Sequence, residues 1–276
     1  MSTPLIPLEF DVFARLLKLR SGIIITPDKT YLLESRLQPI ARKWNLEDLR
    51  GIAKKLSGMP DQRLLDDIVD AMTTNETLFF RDQNPFDSLK NYVLPTLTDK
   101  GHRPRKIRIW SAACSSGQEA YSIAMLLLEE KEKYAGCTFE IVGTDISREI
   151  LAKAQSGIFS QFEVQRGLPI QYLVKYFVKD GDRWALKDTV KSMVSFRFFN
   201  LLEDPRLLGT FDIVFCRNVL IYFDHNTKKG ILERISRALS PDGVLCLGGS
   251  ESVLGITDKF TSVTGQRSMY QQSAPK

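Results

Sequence analysis

The chain has 276 residues and a mass of 31.4 kDa, and it is 43% hydrophobic and 26% charged; this is a globular balance that excludes a disordered chain and allows one large domain or two modest ones. A mean hydropathy of −0.15, no apolar run near the roughly eighteen residues of a membrane helix and no basic-then-apolar start lead us to expect a cytoplasmic, not membrane-embedded protein. Four cysteines without CxxC spacing read as reduced thiols and two histidines (His102, His225) exclude a His-rich metal site, while the net charge of +5 divides into +4 over residues 1–60, −4 over 61–90 and +5 over 91–276.

Residues 8–95 carry helical periodicity. Pro27–Asp28 suits a helix start ahead of Tyr31, Leu32, Leu33, Leu37 and Ile40, and Leu64, Leu65, Ile68, Val69 and Met72 recur at helical spacing. We therefore expect an N-terminal helical domain over residues 1–95. The segment 96–106, TLTDKGHRPRK, gathers Gly, Pro and charges and is expected to be a linker. From residue 107 to 276 the period changes. Strands are expected at 107–112, 138–144, 211–216 and 244–248 and helices at 117–130, 147–155 and 225–239, so this part reads as a parallel sheet covered on both faces. A hairpin is expected at 259–263 and 267–272. Residues 160–199 interrupt the alternation, and Asp180–Gly181 marks a tight turn there, so a small inserted antiparallel unit is expected.

Open α/β sheets bind ligands at the carboxyl ends of their strands. The first strand runs into Ala112-Ala113-Cys114-Ser115-Ser116-Gly117-Gln118-Glu119, small residues that let a ligand approach the backbone. Ser116-x-x-Glu119 also fits a capping box, and the residues alone leave both readings open. GxGxxG is absent, which counts against a dinucleotide. The second strand ends in Gly143-Thr144-Asp145, where a carboxylate can accept ribose hydroxyls or cap the next helix. Arg217 and Asn218 follow directly on the apolar strand FDIVFC, where polar groups need partners. Asn75, Thr77 and Arg81 stand out as polar residues in TTNETLFFRD, although Thr73-x-x-Glu76 is a second capping-box pattern.

These motifs resemble the CheR family of chemotaxis receptor glutamate methyltransferases. The matching stretches are TTNETLFFRD (73–82), RIWSAACSSGQEAYSIA (108–124), GTDIS (143–147), FFNLL (198–202), FDIVFCRNVLIYF (211–223) and LSPDGVLCLGGSES (239–252), which together span about the whole chain in the family order. The resemblance implies a Rossmann-like S-adenosylmethionine-dependent methyltransferase sheet, an N-terminal all-helical domain and a small inserted antiparallel β-subdomain. It implies S-adenosylmethionine as methyl donor, S-adenosylhomocysteine as product and no metal. Asn75, Thr77 and Arg81 would reach the donor, Glu119 would meet its amino group, Asp145 would take the ribose hydroxyls, Asn200 and Leu201 would flank the adenine, and Arg217 with Asn218 would complete the wall. Arg81 and Tyr222 would steer the substrate. The partners implied are the cytoplasmic methylation helices of chemoreceptors, docked by a basic helix face for which Arg36, Arg42 and Lys43 are the candidates. Regulatory signalling partners are left open, as is whether the short inserted hairpin KDGDRWAL binds a receptor tail peptide.

Rival readings are separable. The missing GxGxxG disfavours a nicotinamide-dependent oxidoreductase. The intact polar set at 75–81 and 217–222 disfavours a module that only senses the donor. A DPPY-type loop for base amino groups is lacking after FDIVFC, and the weak net charge does not suggest nucleic acid as acceptor.

Overall fold

The computed structural model describes residues 6–98 and 106–274. It divides into two compact units, Met1–Thr74 with Tyr222–Thr227, and Asn75–Ile221 with Lys228–Lys276. The boundary therefore falls at Thr74, earlier than the 95 expected from helical periodicity. Of the expected linker, Leu97 and Thr98 close a helix and are buried, and 99–105, His102 among them, lie outside the described residues.

The smaller unit is built on α1 (Pro7–Ser21), α2 (Thr30–Lys43), α3 (Leu49–Leu56) and α4 (Gln62–Met72). Leu33, Leu37 and Ala41 recur every fourth residue of α2, so they share one face, and that face is fully buried against Phe13, Leu17, Ile52, Leu64 and Ile68. Asp48 accepts from the N–H groups of Arg50 and Gly51 to cap α3, and Asp61 accepts from Arg63 to cap α4. Caps of this kind contribute about 1 kcal/mol each. The distant segment Tyr222–Thr227 is fastened here by two bonds. Ile24 N–H donates to the Tyr222 carbonyl at 3.1 Å, and Lys18 Nζ meets Asp224 Oδ2 at 2.9 Å. Hydrogen bonds from Thr227 and then Lys18 hold the Asp224 carboxyl well below its ordinary range.

In the larger unit, α5 (Asn84–Ser88), a π turn (Leu89–Val93) and α6 (Leu94–Thr98) lead into β1 (Lys106–Ala112) and α7 (Gln118–Glu129). Then come β2 (Thr138–Asp145), α8 (Arg148–Ser156), β3 (Ile158–Ser160), α9 (Gln161–Gln165), α10 (Ile170–Tyr176), β4 (Phe177–Asp180), β5 (Arg183–Leu186), α11 (Asp188–Lys191) and β6 (Val194–Phe198). The unit finishes with β7 (Phe211–Cys216), α12 (His225–Ala238) from Lys228 onward, β8 (Leu239–Leu247), β9 (Phe260–Ser262) and β10 (Met269–Gln272). The seven-stranded sheet has the order β6-β2-β1-β7-β8-β10-β9. Its first five strands are parallel, and β10 and β9 close it as an antiparallel hairpin. Phe86, Leu94 and Leu97 join Ile109, Ile213 and Phe215 in the core of this unit, which is why residues 84–98 belong here although they are helical.

The inserted antiparallel sheet is real but shorter than the expected 160–199. Its order is β3-β5-β4, and it ends at Leu186. Val194–Phe198 instead joins the main sheet as a parallel edge strand beside β2, with Phe196 opposite Gly143. A Cβ on Gly143 would sit 2.7 Å from the Phe196 ring, so the glycine makes the room this pairing needs.

Candidate active site

The polar residues collect at the carboxyl ends of β1, β2 and β7. Their backbone is strained. Five of the seven non-glycine residues described with positive φ are Phe80, Asp82, Ala113, Ser115 and Asn218, all within the segments that meet here. Each such conformation costs on the order of 1–3 kcal/mol and persists only where the surroundings over-determine it, most often at a functional site. Ala113, Ser115 and Gly117 alternate with residues of ordinary φ, and within this turn Cys114 N–H donates to the Thr144 carbonyl, Ser115 N–H to Asp145 and Gly117 N–H to the Cys114 carbonyl.

Neither capping box expected as an alternative is formed. Ser116 Oγ donates to Gln118 Oε1, the N-cap of α7 is the left-handed Gly117, and Glu119 looks elsewhere. Thr73 ends α4 and donates to the Asp70 carbonyl, while Glu76 pairs with Arg166 at 3.1 Å. Nor does Asp145 cap α8, since Ser147 does that with its own hydroxyl. The polar side chains are thus left for another purpose.

Arg217 organises one end. Only 2% of its side chain is exposed, and it donates to Glu119 Oε2 at 2.9 Å, Asp82 Oδ2 at 3.0 Å and the Arg81 carbonyl at 2.8 Å. Burial weighs against its charge, but Glu119 and Asp82 outweigh burial and its pKa rises. Glu119 Oε1 also accepts from Ser111 Oγ at 2.7 Å. Two carboxylates against one guanidinium leave this end net negative, which suits a cationic ligand group.

Asp145 organises the other end. Its Oδ2 accepts from Ser115 N–H at 2.9 Å and its Oδ1 from Ser147 N–H at 3.0 Å. Burial pushes the Asp145 carboxyl up, against those amides. A carboxylate has about four lone-pair directions, and the backbone amides of Ser147, Ser115 and Ile146 leave room on it for a ligand hydroxyl. Phe199 N–H donates to the Asp145 carbonyl, which sets the following Asn200 and Leu201, both half-buried, beside it. Asn200 Oδ1 accepts from Leu202 N–H in a local turn.

The segment 75–82 lies on this floor. The Asn75 carbonyl accepts from Ser115 Oγ at 2.8 Å, and Phe80 N–H donates to Ser122 Oγ at 2.9 Å. Phe79 is locked edge-on between Phe159 and Phe177 of the inserted sheet. Half-buried Arg81 donates to the Glu76 carbonyl at 3.3 Å. Asn75 and Thr77 face a cavity of about 810 Å³ shared with Ser116, Gln118, Lys153 and Arg183. Asn75, Thr77, Arg81, Glu119, Asp145, Asn200, Leu201, Arg217 and Asn218 are all in the larger unit, whereas Tyr222 is in the smaller.

Arg36 and Lys43 are engaged within the smaller unit. Arg36 donates to the carbonyls of Met72 and Thr73 at 2.9 and 2.8 Å, closing the end of α4, and Lys43 pairs with Asp67 at 2.8 Å. Seven residues is two helical turns, so the two share a face, and both reach residues at α4, although Lys43 stays exposed. Arg42, about 100° away, is exposed and has no ion-pair partner among the described residues.

One residue with a clear structural role was not singled out from sequence. Buried Glu251 gathers four backbone N–H groups onto its carboxylate. Its only sequence signal is an acidic residue among the small residues LGGSES.

The chain matches the model of the CheR methyltransferase all-alpha domain over residues 8–73 and that of the CheR methyltransferase SAM binding domain over residues 75–269. It belongs to the CheR methyltransferase family. The junction of the two matches coincides with the structural boundary at Thr74. Among similar relatives, Chemotaxis protein methyltransferase Cher2 of Pseudomonas putida is 42% identical over 93% of this chain and 94% of its own. Chemotaxis protein methyltransferase 1 of Vibrio cholerae is 43% identical over 92% of this chain and 93% of its own. Chemotaxis protein methyltransferase 1 of Pseudomonas aeruginosa is 42% identical over 92% of this chain and 94% of its own. The protein is therefore an S-adenosylmethionine-dependent methyltransferase. Among the described residues, no group of three or more His, Cys, Asp or Glu stands ready to hold a metal, and no helix is long and apolar enough to cross a membrane.

Proposed function

We propose that this CheR enzyme methylates glutamate side chains on the cytoplasmic methylation helices of chemoreceptors, forming methyl esters that adapt the receptor's output. The observation that carries the reading is the pair of prepared ends at the strand termini, the buried Asp145 carboxylate held by backbone amides with room left for a ligand hydroxyl, and the net-negative cluster around Glu119. Donor chemistry fits both. Asp145 takes the ribose hydroxyls, Asn200 and Leu201 flank the adenine, and Glu119 takes the ammonium group. Asn75, Thr77 and Asn218 line the remaining wall, with Arg217 as the strut behind Glu119. S-adenosylmethionine supplies a methyl group on a sulfonium sulfur and leaves as S-adenosylhomocysteine.

The acceptor needs no base. A glutamate side chain with a reference pKa near 4.3 is already ionised at pH 7. The protein's task is to align that carboxylate and strip its water, and alignment can contribute roughly 7–11 kcal/mol. Half-buried Arg81 is suited to orient the carboxylate with its planar fork, and Tyr222 is the second residue assigned to steering the acceptor. Docking of the receptor falls to the exposed flank of α2, with Arg42 at its centre and Arg36 and Lys43 adding charge from the α4-facing side.

Radiolabelled S-adenosylmethionine, the purified protein and receptor-bearing membranes form the test. The expected result is label on the receptor that mild base releases as volatile methanol. Base-stable label would assign another acceptor atom, and donor binding without transfer would make the protein a sensing module.

A further inference from the structure

The β7 exit loop has to hold an unfavourable shape. Asn218 lies at φ 56°, a left-handed conformation that asparagine adopts more readily than most side chains but that still has to be held by its surroundings. The three residues that follow Arg217 also present their N–H groups inside the protein, where an unpaired donor costs about 1–3 kcal/mol. One side chain resolves both problems. Glu251 Oε2 accepts from Asn218 N–H at 2.8 Å and Gly248 N–H at 2.7 Å, while Oε1 accepts from Val219 N–H at 2.9 Å and Leu220 N–H at 2.7 Å. Glu251 N–H in turn donates to the Gly248 carbonyl at 2.9 Å.

All four lone-pair directions are filled by backbone, and no ion pair to the carboxylate occurs among the described residues. A neutral amide in its place would offer one acceptor oxygen and turn an NH2 group against two N–H donors. Gly248 is matched to this arrangement. A Cβ there would lie 2.7 Å from Glu251 Oε2 and 2.9 Å from Asn218 Nδ2. The carboxylate therefore works like a rivet between the loops after β7 and β8.

We infer that Glu251 is a positioning residue for donor binding, fixing the left-handed turn that presents Asn218 to the methyl donor. The inference rests on the reading of Asn218 as part of the donor wall. It assigns Glu251 a role distinct from that of Glu119, because no lone pair remains on it for a ligand.

The experiment is titration of S-adenosylhomocysteine into wild type, Glu251→Gln, Glu251→Asp and Gly248→Ala, beside thermal melts of each. We expect Glu251→Gln to bind at least tenfold more weakly, and Gly248→Ala, which keeps the carboxylate but crowds it, to weaken binding in the same direction. Glu251→Asp, which keeps both oxygens, should recover part of the loss. Wild-type affinity in a Glu251→Gln protein that merely melts lower would overturn the inference. Failure of the wild type to bind would overturn the reading of the site itself. If Glu251→Gln does not fold, hydrogen exchange in the wild type decides. The amides of 218, 219, 220 and 248 should be strongly protected, and exchange at open-loop rates would overturn the inference.

Discussion

Arg217 is charged where only 2% of its side chain meets solvent, and its Nε has no hydrogen-bond partner among the described residues. Such a group is stable only while both carboxylates stay in place, so removing it leaves Glu119 buried and uncompensated. Breaking a buried pair in this way costs about 3–5 kcal/mol. Arg217→Met is expected to lose about that much in urea unfolding and to lose donor binding with it. Arg217→Lys keeps the charge but cannot span Glu119, Asp82 and the Arg81 carbonyl at once. It should fall between wild type and Arg217→Met in both measurements. Equal stability of wild type and Arg217→Met would show that the cluster is not held by this guanidinium. The sequence marked Arg217 as a polar residue that needed partners after an apolar strand. It did not show that those partners would be Glu119 and Asp82, because 98 and 135 residues separate them and periodicity reaches only along one element.

At the scale of elements, α2 shows where pattern reading stops. Its core face was partly legible, since of Tyr31, Leu32, Leu33, Leu37 and Ile40 the structure buries Leu33 and Leu37 fully, half-buries Leu32 and Ile40 and leaves Tyr31 exposed. Its charged residues were not separable by sequence, since Arg36, Arg42 and Lys43 differ only in what α4 places opposite them. The structure predicts distinct outcomes. Arg42→Glu should slow receptor methylation several-fold at low salt, with wild-type melting and donor affinity, and the deficit should shrink toward 1 M salt, where the Debye length is about 3 Å. Arg36→Glu should instead lower the melting temperature, since Arg36 closes the end of α4. Wild-type methylation by Arg42→Glu at low ionic strength would remove this flank from the docking surface. The strand Val194–Phe198 was missed for a related reason. Its short alternating pattern is the same for an edge strand of the main sheet and one of the insert, and only the space over Gly143 decides.

For the molecule as a whole, the parallel sheet must hold its strand order for the site at the strand ends to exist, and its opposite edge is tied by Glu140. This side chain accepts from Arg108 Nε at 3.2 Å and Nη2 at 3.0 Å and pairs with Lys106. Arg108 also donates to the carbonyls of Thr210 and Leu208 ahead of β7, so β2, β1 and the approach to β7 are joined through one guanidinium. Hydrogen bonds from Arg108 and then Lys106 pull the Glu140 carboxyl from 4.5 down to about 2. A depressed carboxylate stabilises the fold fully above its unfolded pKa, and that contribution is lost as pH falls through the folded value. Part of the pair is solvated, so about 1–2 kcal/mol is expected, less than the shift alone implies. Glu140→Gln should therefore unfold more easily than wild type at pH 7. The difference should begin to close below pH 4.5 and vanish near pH 2. Unfolding curves of the two proteins across that range provide the check, and a gap unchanged down to pH 2 would place the stabilisation in packing instead of charge. Because the ties lie at the end of the sheet away from Asp145 and Glu119, Glu140→Gln should keep wild-type donor affinity at pH 7, separating the stability of the scaffold from the chemistry it carries.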